Sequence, residues 1–224
     1  MAWRSSGATN EALVTNLKRH GLIESDRVKD AMLKVDRAHY APSHPYEDSP
    51  QPIGHRATIS APHMHASACS SLLPFLYPGA RVLDIGCGSG YLTAVLAHLV
   101  GPTGAVIGVD HIEPLVALAA ANMAKSADGS AMLRSGQVRF IKADGRRGWK
   151  EGAPYDAIHV GAAAAEHHKE LTEQLRAPGR LFVPVEDEGA KQHIYVVDKS
   201  EDGSVETKKL YGVQYVPLTD APPE

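Results

Sequence analysis

The densest chemical signal in the chain is the run Val82-Leu83-Asp84-Ile85-Gly86-Cys87-Gly88-Ser89-Gly90-Tyr91, where an apolar stretch gives way to glycines and then to a helical pattern. Glycines at a strand-to-helix turn allow backbone conformations closed to other residues and let a ligand approach the main chain, at the sheet edge where such folds bind ligands. Asp84 stands directly before the loop. A carboxylate there is a poor neighbour for a pyrophosphate but suits a ligand carrying an ammonium and a sulfonium. A dinucleotide fingerprint needs glycine at the first, third and sixth places; here the sixth is Tyr91, and Gly90 falls one position early. NAD is therefore disfavoured, and the charge pattern that fits is that of S-adenosylmethionine. Asp110 lies 20 residues beyond Gly90, at the end of the next apolar run, where a carboxylate can accept hydrogen bonds from both ribose hydroxyls. Asp144-Gly145 follows the third such run and could bond an adenine amino group, with Ile112 packing the ring.

Other constellations carry less. His55, His63 and His65 invite a metal reading, but no carboxylate or cysteine stands at a partnering spacing, and no metal is expected. Gly88-Ser89-Gly90 fails as a nucleophile elbow, which would need glycines at 87 and 91, occupied by Cys87 and Tyr91. His159 reads as a strand-end residue and His167-His168 as a solvated helix start. Cys69 and Cys87 match no zinc or CxxC spacing and read as reduced thiols.

The elements that must position these groups follow from periodicity. With 224 residues, of which 43% are hydrophobic, the chain suits one α/β domain with terminal extensions. Asn10–His20 and the stretch after Ser25 read as two short helices. The proline-rich stretch Tyr40–Pro62 reads as an irregular functional loop, and Ala66–Tyr77 as a helix that Pro74 ends or kinks. From Ala80, strands and helices alternate: strands at Arg81–Ile85, Ala105–Val109, Val138–Ile141, Tyr155–Val160 and Arg180–Val185, and helices at Gly90–Leu99, Glu113–Lys125 and His167–Leu175. Such alternation implies a parallel sheet covered on both faces. His193–Asp198 and Tyr211–Val216, separated by the polar Lys199–Thr207, read as an antiparallel hairpin at one edge. The organisation expected is a helical preface and loop over 1–79, a cofactor-binding core over 80–185 and a hairpin with tail over 186–224. Lys+Arg 23 against Asp+Glu 26 gives a net charge of -3, without the basic run of a nucleic-acid footprint. No signal peptide or membrane span is visible, so a cytoplasmic protein is expected.

Asp48-Ser-Pro-Gln-Pro-Ile-Gly54, followed by Ala57-Thr-Ile-Ser-Ala-Pro-His-Met-His-Ala66, resembles the signature of the protein-L-isoaspartate (D-aspartate) O-methyltransferases. The likeness runs through Val109-Asp-His-Ile112 and Pro154-Tyr-Asp-Ala-Ile-His-Val-Gly-Ala162 to Tyr215-Val-Pro-Leu-Thr-Asp220. It implies a Rossmann-like, mostly parallel seven-stranded methyltransferase fold with helices on both faces and an N-terminal helical extension. It also implies a monomer that methylates isoaspartyl-containing peptides and proteins, starting their repair and leaving S-adenosyl-L-homocysteine. By that resemblance Ser60 is the catalytic residue, and Thr58, Ile59, His65 and Thr219 are contacts. With Asp84, Gly86, Gly88, Gly90, Asp110, His111, Ile112, Asp144 and Gly145 these complete the expected cofactor set. Three departures stand out: Cys87 replaces a serine, Glu186–Lys191 replaces a glycine-richer segment, and Glu224 follows soon after Thr219 where relatives continue. Alternatives are a small-molecule methyltransferase of the same fold and a binding adaptor that has lost turnover.

Overall fold

The structure is a computed structural model that describes residues 2–187 and 189–218. Helical spacing of apolar residues builds the front. Helix α1 (Asn10–Arg19), capped by the Thr9 hydroxyl, buries Leu13, Val14 and Leu17; α2 (Asp26–Lys34) buries Val28, Ala31 and Met32. The proline-rich stretch expected to be irregular instead carries two short strands, β1 (Gln51–Gly54) and β2 (Ala57–Ile59). Its tip, His55-Arg56, has φ of 50° and 59°, the mirror-image turn that matches strand twist in a two-residue hairpin. Pro52 is tolerated because each strand of a two-stranded sheet has a free edge. Helix α3 (Pro62–Leu72) starts before the expected Ala66, with Pro62 in the first turn where a missing N–H costs nothing; Leu73–Phe75 tightens into a 3-10 turn at Pro74.

The core alternates as expected: β3 (Arg81–Ile85), α4 (Tyr91–Val100), β4 (Ala105–Asp110), α5 (Glu113–Met123), α6 (Ala127–Ser135), β5 (Val138–Lys142), β6 (Tyr155–Val160), α7 (Lys169–Glu173), β7 (Leu175–Asp187), β8 (Lys191–Lys199) and β9 (Val205–Val213). The seven-stranded sheet runs β5-β4-β3-β6-β7-β8-β9, with the first five strands parallel and the last two antiparallel. Alternate strand residues divide between two apolar clusters. Val82, Val106, Ala157 and Phe182 pack toward α1 to α5, whereas Leu83, Ile107, Ile158 and Leu181 pack toward α7 and Trp149. Helices thus cover both faces unequally: the second face has a five-residue helix and 3-10 turns. None of the helices described is long and apolar enough to cross a membrane.

Three boundaries differ from expectation for identifiable reasons. Helix α7 is shorter than His167–Leu175, because Leu175 pairs with Tyr155 and opens β7. Strand β9 begins within the last residues of the supposed polar separator, ahead of the expected Tyr211, and ends at Val213; it is an exposed edge, so its side chains need not alternate in polarity. Helix α6 went unread because its stretch is polar and carries Gly129. Leu83, fully buried in β3, tests the core: Leu83→Ala should lower stability by about 2–5 kcal/mol in urea unfolding.

Candidate active site

The parallel strands end at one edge, and the loops leaving them make the floor of the site. Gly86, Gly88 and Gly90 have φ of 69°, 52° and 84°, and the Gly86 and Cys87 amides both donate to Val109 O, at 2.8 and 3.1 Å. This folds the loop back over the end of β4. Asp110 there is 7% exposed; its oxygens accept the amides of Gly88 and Ile112, each at 3.1 Å. Burial raises its pKa, opposed by those two amide bonds. A Cβ at Gly145 would stand 2.3 Å from Ile85, so only glycine permits this approach of the β5 loop to β3. Gly90 serves packing: its Cα faces Ala119 and Phe140, 3.0 and 3.1 Å from where a Cβ would sit, and it borders none of the cavities described next.

Three adjoining cavities meet over this floor. The first, of about 470 Å³, has Asp110, His111, Ile112, Asp144 and Gly145 along one side, with the tip His55-Arg56 and residues 216–218 completing its walls. A small one of about 30 Å³ is bordered by Ile59, Ser60, His65, Asp84 and His159, together with Gly86 and Gly88. The third, of about 570 Å³, runs past Ser60, Ala61, His63 and Met64 along residues 212–216. Thr58 and Gly161 border all three. The structure thus gathers Thr58, Ile59, Ser60, His65, Asp84, Gly86, Gly88, Asp110, His111, Ile112, Asp144 and Gly145 around connected space, while Thr219 lies outside the described residues. Asp144 is clasped by Arg146, which holds its pKa down through their side-chain hydrogen bonds, one of 2.9 Å from Nη2.

The Ser60 side of this space is wired by buried polar groups. His63 donates its backbone amide to Asp48 at 3.0 Å, and its ring Nδ1 meets the same oxygen at 2.8 Å. His65 therefore stands apart from His63, and among the described residues no three or more His, Cys, Asp or Glu side chains group to hold a metal ion. Burial, and then the charge of Arg37, hold the His65 imidazole well below its ordinary pKa. Arg37 can only donate, so His65 Nδ1, 3.4 Å away, is the acceptor and the ring is neutral with its proton on Nε2.

The sequence profile described as Protein-L-isoaspartate(D-aspartate) O-methyltransferase (PCMT) matches residues 8–222. The chain belongs to this family. A protein-L-isoaspartate O-methyltransferase of Caenorhabditis elegans is 49% identical over 98% of this chain and 96% of its own length. Protein-L-isoaspartate O-methyltransferase 1 of Arabidopsis thaliana is 50% identical over 96% and 93%. Among solved structures, the Plasmodium falciparum protein assigned to the same activity, crystallised with S-adenosyl-L-homocysteine, superposes with a TM-score of 0.87 at 33% identity, covering 95% of this chain and 99% of that one.

Reading this protein-L-isoaspartate methyltransferase family member from motifs alone misses three site residues. Arg37 is fully buried; its Nη2 donates to Ser60 O at 2.7 Å, and its guanidinium sits 5.1 Å over the Tyr91 ring. Burial lowers its pKa to about 10, which leaves it charged at neutral pH. His159 is no plain strand end: it is 4% exposed, and its Nδ1 lies 2.8 Å from Asp84 Oδ1. At half-buried Tyr215, burial raises the phenol's pKa and a side-chain hydrogen bond with Ser60 opposes that shift. Only the bare fact of an arginine on a helical preface was visible for Arg37, and nothing in its spacing pointed at Ser60. Arg37→Met should cost about 1.5–3 kcal/mol of stability in urea unfolding, the range for a hydrogen bond to a charged group.

Proposed function

We propose that this protein transfers the methyl group of S-adenosylmethionine to the free α-carboxylate of L-isoaspartyl residues, and less well of D-aspartyl residues, in peptides and proteins. The observation that carries this reading is the position of Ser60, which borders both the small cavity and the long groove, beside Thr58 and Gly161 that also border the large cavity. A donor in the large cavity and an acceptor in the groove thus meet at one point. The groove, open along 212–216, suits an extended polypeptide rather than a small molecule, and the relatives' names give no support to a small-molecule acceptor.

The large cavity fits the cofactor. Its apolar wall of Ile112 and Leu115 suits a ring, with Asp144 and the backbone of Gly145 at hand for an amino group. Asp110 is braced by two amides while its carboxylate still borders the cavity, ready for two ribose hydroxyls. Gly86 at φ 69° faces Gly161 and Ala162, with 3.6 Å between Gly161 and the place of a Cβ, so any side chain there would narrow the passage between the cavities. When bound, S-adenosylmethionine supplies an electrophilic methyl group whose sulfur leaves as a neutral thioether.

The acceptor needs no base. An α-type carboxylate has a pKa of roughly 3.3–3.7 and is ionised at neutral pH. Its oxygen lone pair forms the new O–C bond as the S–C bond breaks, and no proton moves. What remains is orientation in a water-poor site, worth about 7–11 kcal/mol when reacting groups are held in line. Ser60 orients the carboxylate through its hydroxyl. Its main chain is fixed by Arg37, and the β1–β2 hairpin lies over the junction. The ester then cyclises to a succinimide without the enzyme, and hydrolysis returns part of it as normal aspartate.

Incubated with S-adenosylmethionine and two peptides differing only in one aspartyl or isoaspartyl linkage, the protein should form base-labile methyl ester on the isoaspartyl peptide alone. No ester on either, with cofactor binding intact, would favour the adaptor. Ser60→Ala should reduce kcat at least about tenfold, the loss of one positioning hydrogen bond, and full activity would remove the hydroxyl from the mechanism. Asp110→Ala should weaken S-adenosyl-L-homocysteine binding by a similar factor in calorimetry, through two lost ribose contacts.

A further inference from the structure

The Asp48 side chain is wholly shielded from solvent, and one of its oxygens serves a single neighbour twice. Oδ1 accepts the His63 amide at 3.0 Å and lies 2.8 Å from the same residue's Nδ1. A carboxylate only accepts, so Nδ1 carries a proton whether the ring is charged or neutral, and Nε2 is left over. Among the described residues nothing hydrogen-bonds that Nε2. The His63 side chain is 26% exposed, so it stands in the first turn of α3 as a held ring with one open polar edge. His63 and Met64 border the groove that passes Ser60, and they also border a further open space of about 490 Å³ along α3. Ser67, Ser70 and Ser71 continue this second space along the helix, and Leu22 and Tyr211 line it as well. From His63 to Ser71 the helix rises about 12 Å at 1.5 Å per residue, a length that an extended chain covers in about three to four residues. The Ser67 and Tyr211 hydroxyls bond each other, which ties α3 to the strand whose end lines the groove. Glu24 is the one carboxylate among the described residues around the second space, and it is exposed and open to screening, so recognition there falls on main-chain groups rather than on charge.

We propose that the acceptor polypeptide continues past the reaction centre over His63 into this second space, and that His63 Nε2 hydrogen-bonds its main chain beside the isoaspartyl residue. Asp48 sets the ring's direction by holding both Nδ1 and the backbone. A polypeptide seated at Ser60 must leave the groove as a chain, and the second space is a continuation that shares two residues with it. Contact through the main chain and short serine hydroxyls lets the flanking sequence vary, which suits an enzyme whose acceptor is defined by its linkage. His63 borders neither the large cavity nor the small one, so its role is separate from the cofactor's. This rests on the groove at Ser60 holding the isoaspartyl carboxylate.

Two isoaspartyl peptides test this, one with a single residue on either side of the linkage and one carrying about four more on both sides, with methyl ester formation measured for each. In the wild type the long peptide should have a KM about five- to tenfold lower at similar kcat, one hydrogen bond's contribution. His63→Asn keeps an amide toward Asp48 and loses the Nε2 position, so the ratio of the two KM values should fall toward one. His63→Gln carries an amide to that position and should restore most of the ratio. Ser70→Trp, which fills the second space and leaves His63 in place, should also bring the ratio toward one. A wild-type ratio near one would overturn the proposal. An unaltered ratio in His63→Asn would remove the contact, and one in Ser70→Trp the path; either overturns it too. A matching loss of S-adenosyl-L-homocysteine affinity in His63→Asn, read by calorimetry, would mark a structural role instead and count equally against it. Wild-type protein that esterifies neither peptide would overturn the acceptor reading, and this role with it.

Discussion

Strand β3 pairs with β6 so that Asp84 lies opposite His159, and the rest of the site hangs on that register. Parallel strands in register finish together, so the loops after β3, β4, β5 and β6 reach one edge at one height. A slip of one residue would turn His159 to the other face, away from Phe182 and Asp84. The helix that follows the glycine loop reinforces the choice, because Thr93 on α4 bonds the same carboxylate from above the sheet.

The second dependency runs through the front of the chain. Arg37 follows α2 and reaches across to the carbonyl of Ser60 and the ring of His65, so the helical preface holds the Ser60–His65 segment in place. The buried guanidinium uses Nη2 on Ser60 O and Nη1 on His65 Nδ1, while its Nε has no hydrogen-bond partner among the described residues and the Tyr91 ring offers a face in place of a further acceptor. The hairpin tip, with two non-glycine residues at positive φ beside the large cavity, is one of the places where the backbone departs from its easy conformations, as it also does at His44 and Ala190. Such departures concentrate where a ligand must be met by a shape the chain would not take unprompted.

Much of this was legible in the residues. Alternating apolar runs and glycine punctuation announced the strands and turns of the core, because period-two burial and positive φ leave strong compositional marks. The glycine loop and the carboxylates at strand ends could be placed because chemistry and position coincide there. What stayed hidden depends on distance across the fold. Arg37 and Ser60 are 23 residues apart, and His159 and Asp84 are 75, and no local pattern encodes either meeting. The first half of strand β9 escaped for a different reason: an exposed edge buries little, and its Lys208, Lys209 and Glu206 look like a solvated linker. The proline-rich stretch hid its hairpin because a strand with a free edge tolerates a proline that a central strand would reject.

Residues 216–218 close one wall of the large cavity and are tied to the loop after β6, with Ala163 N donating to Val216 O and Leu218 N to Ala163 O, at 2.8 and 2.7 Å. The chain emerges from the ribosome from its N-terminus, so the glycine loop, the hairpin and Ser60 are all present before this wall exists. A nascent chain that has not yet reached residue 216 carries the motifs but lacks this wall of the cavity. The enclosure is thus completed by residues far downstream of the glycine loop, so the order of synthesis separates the motifs in time from the wall that closes beside them.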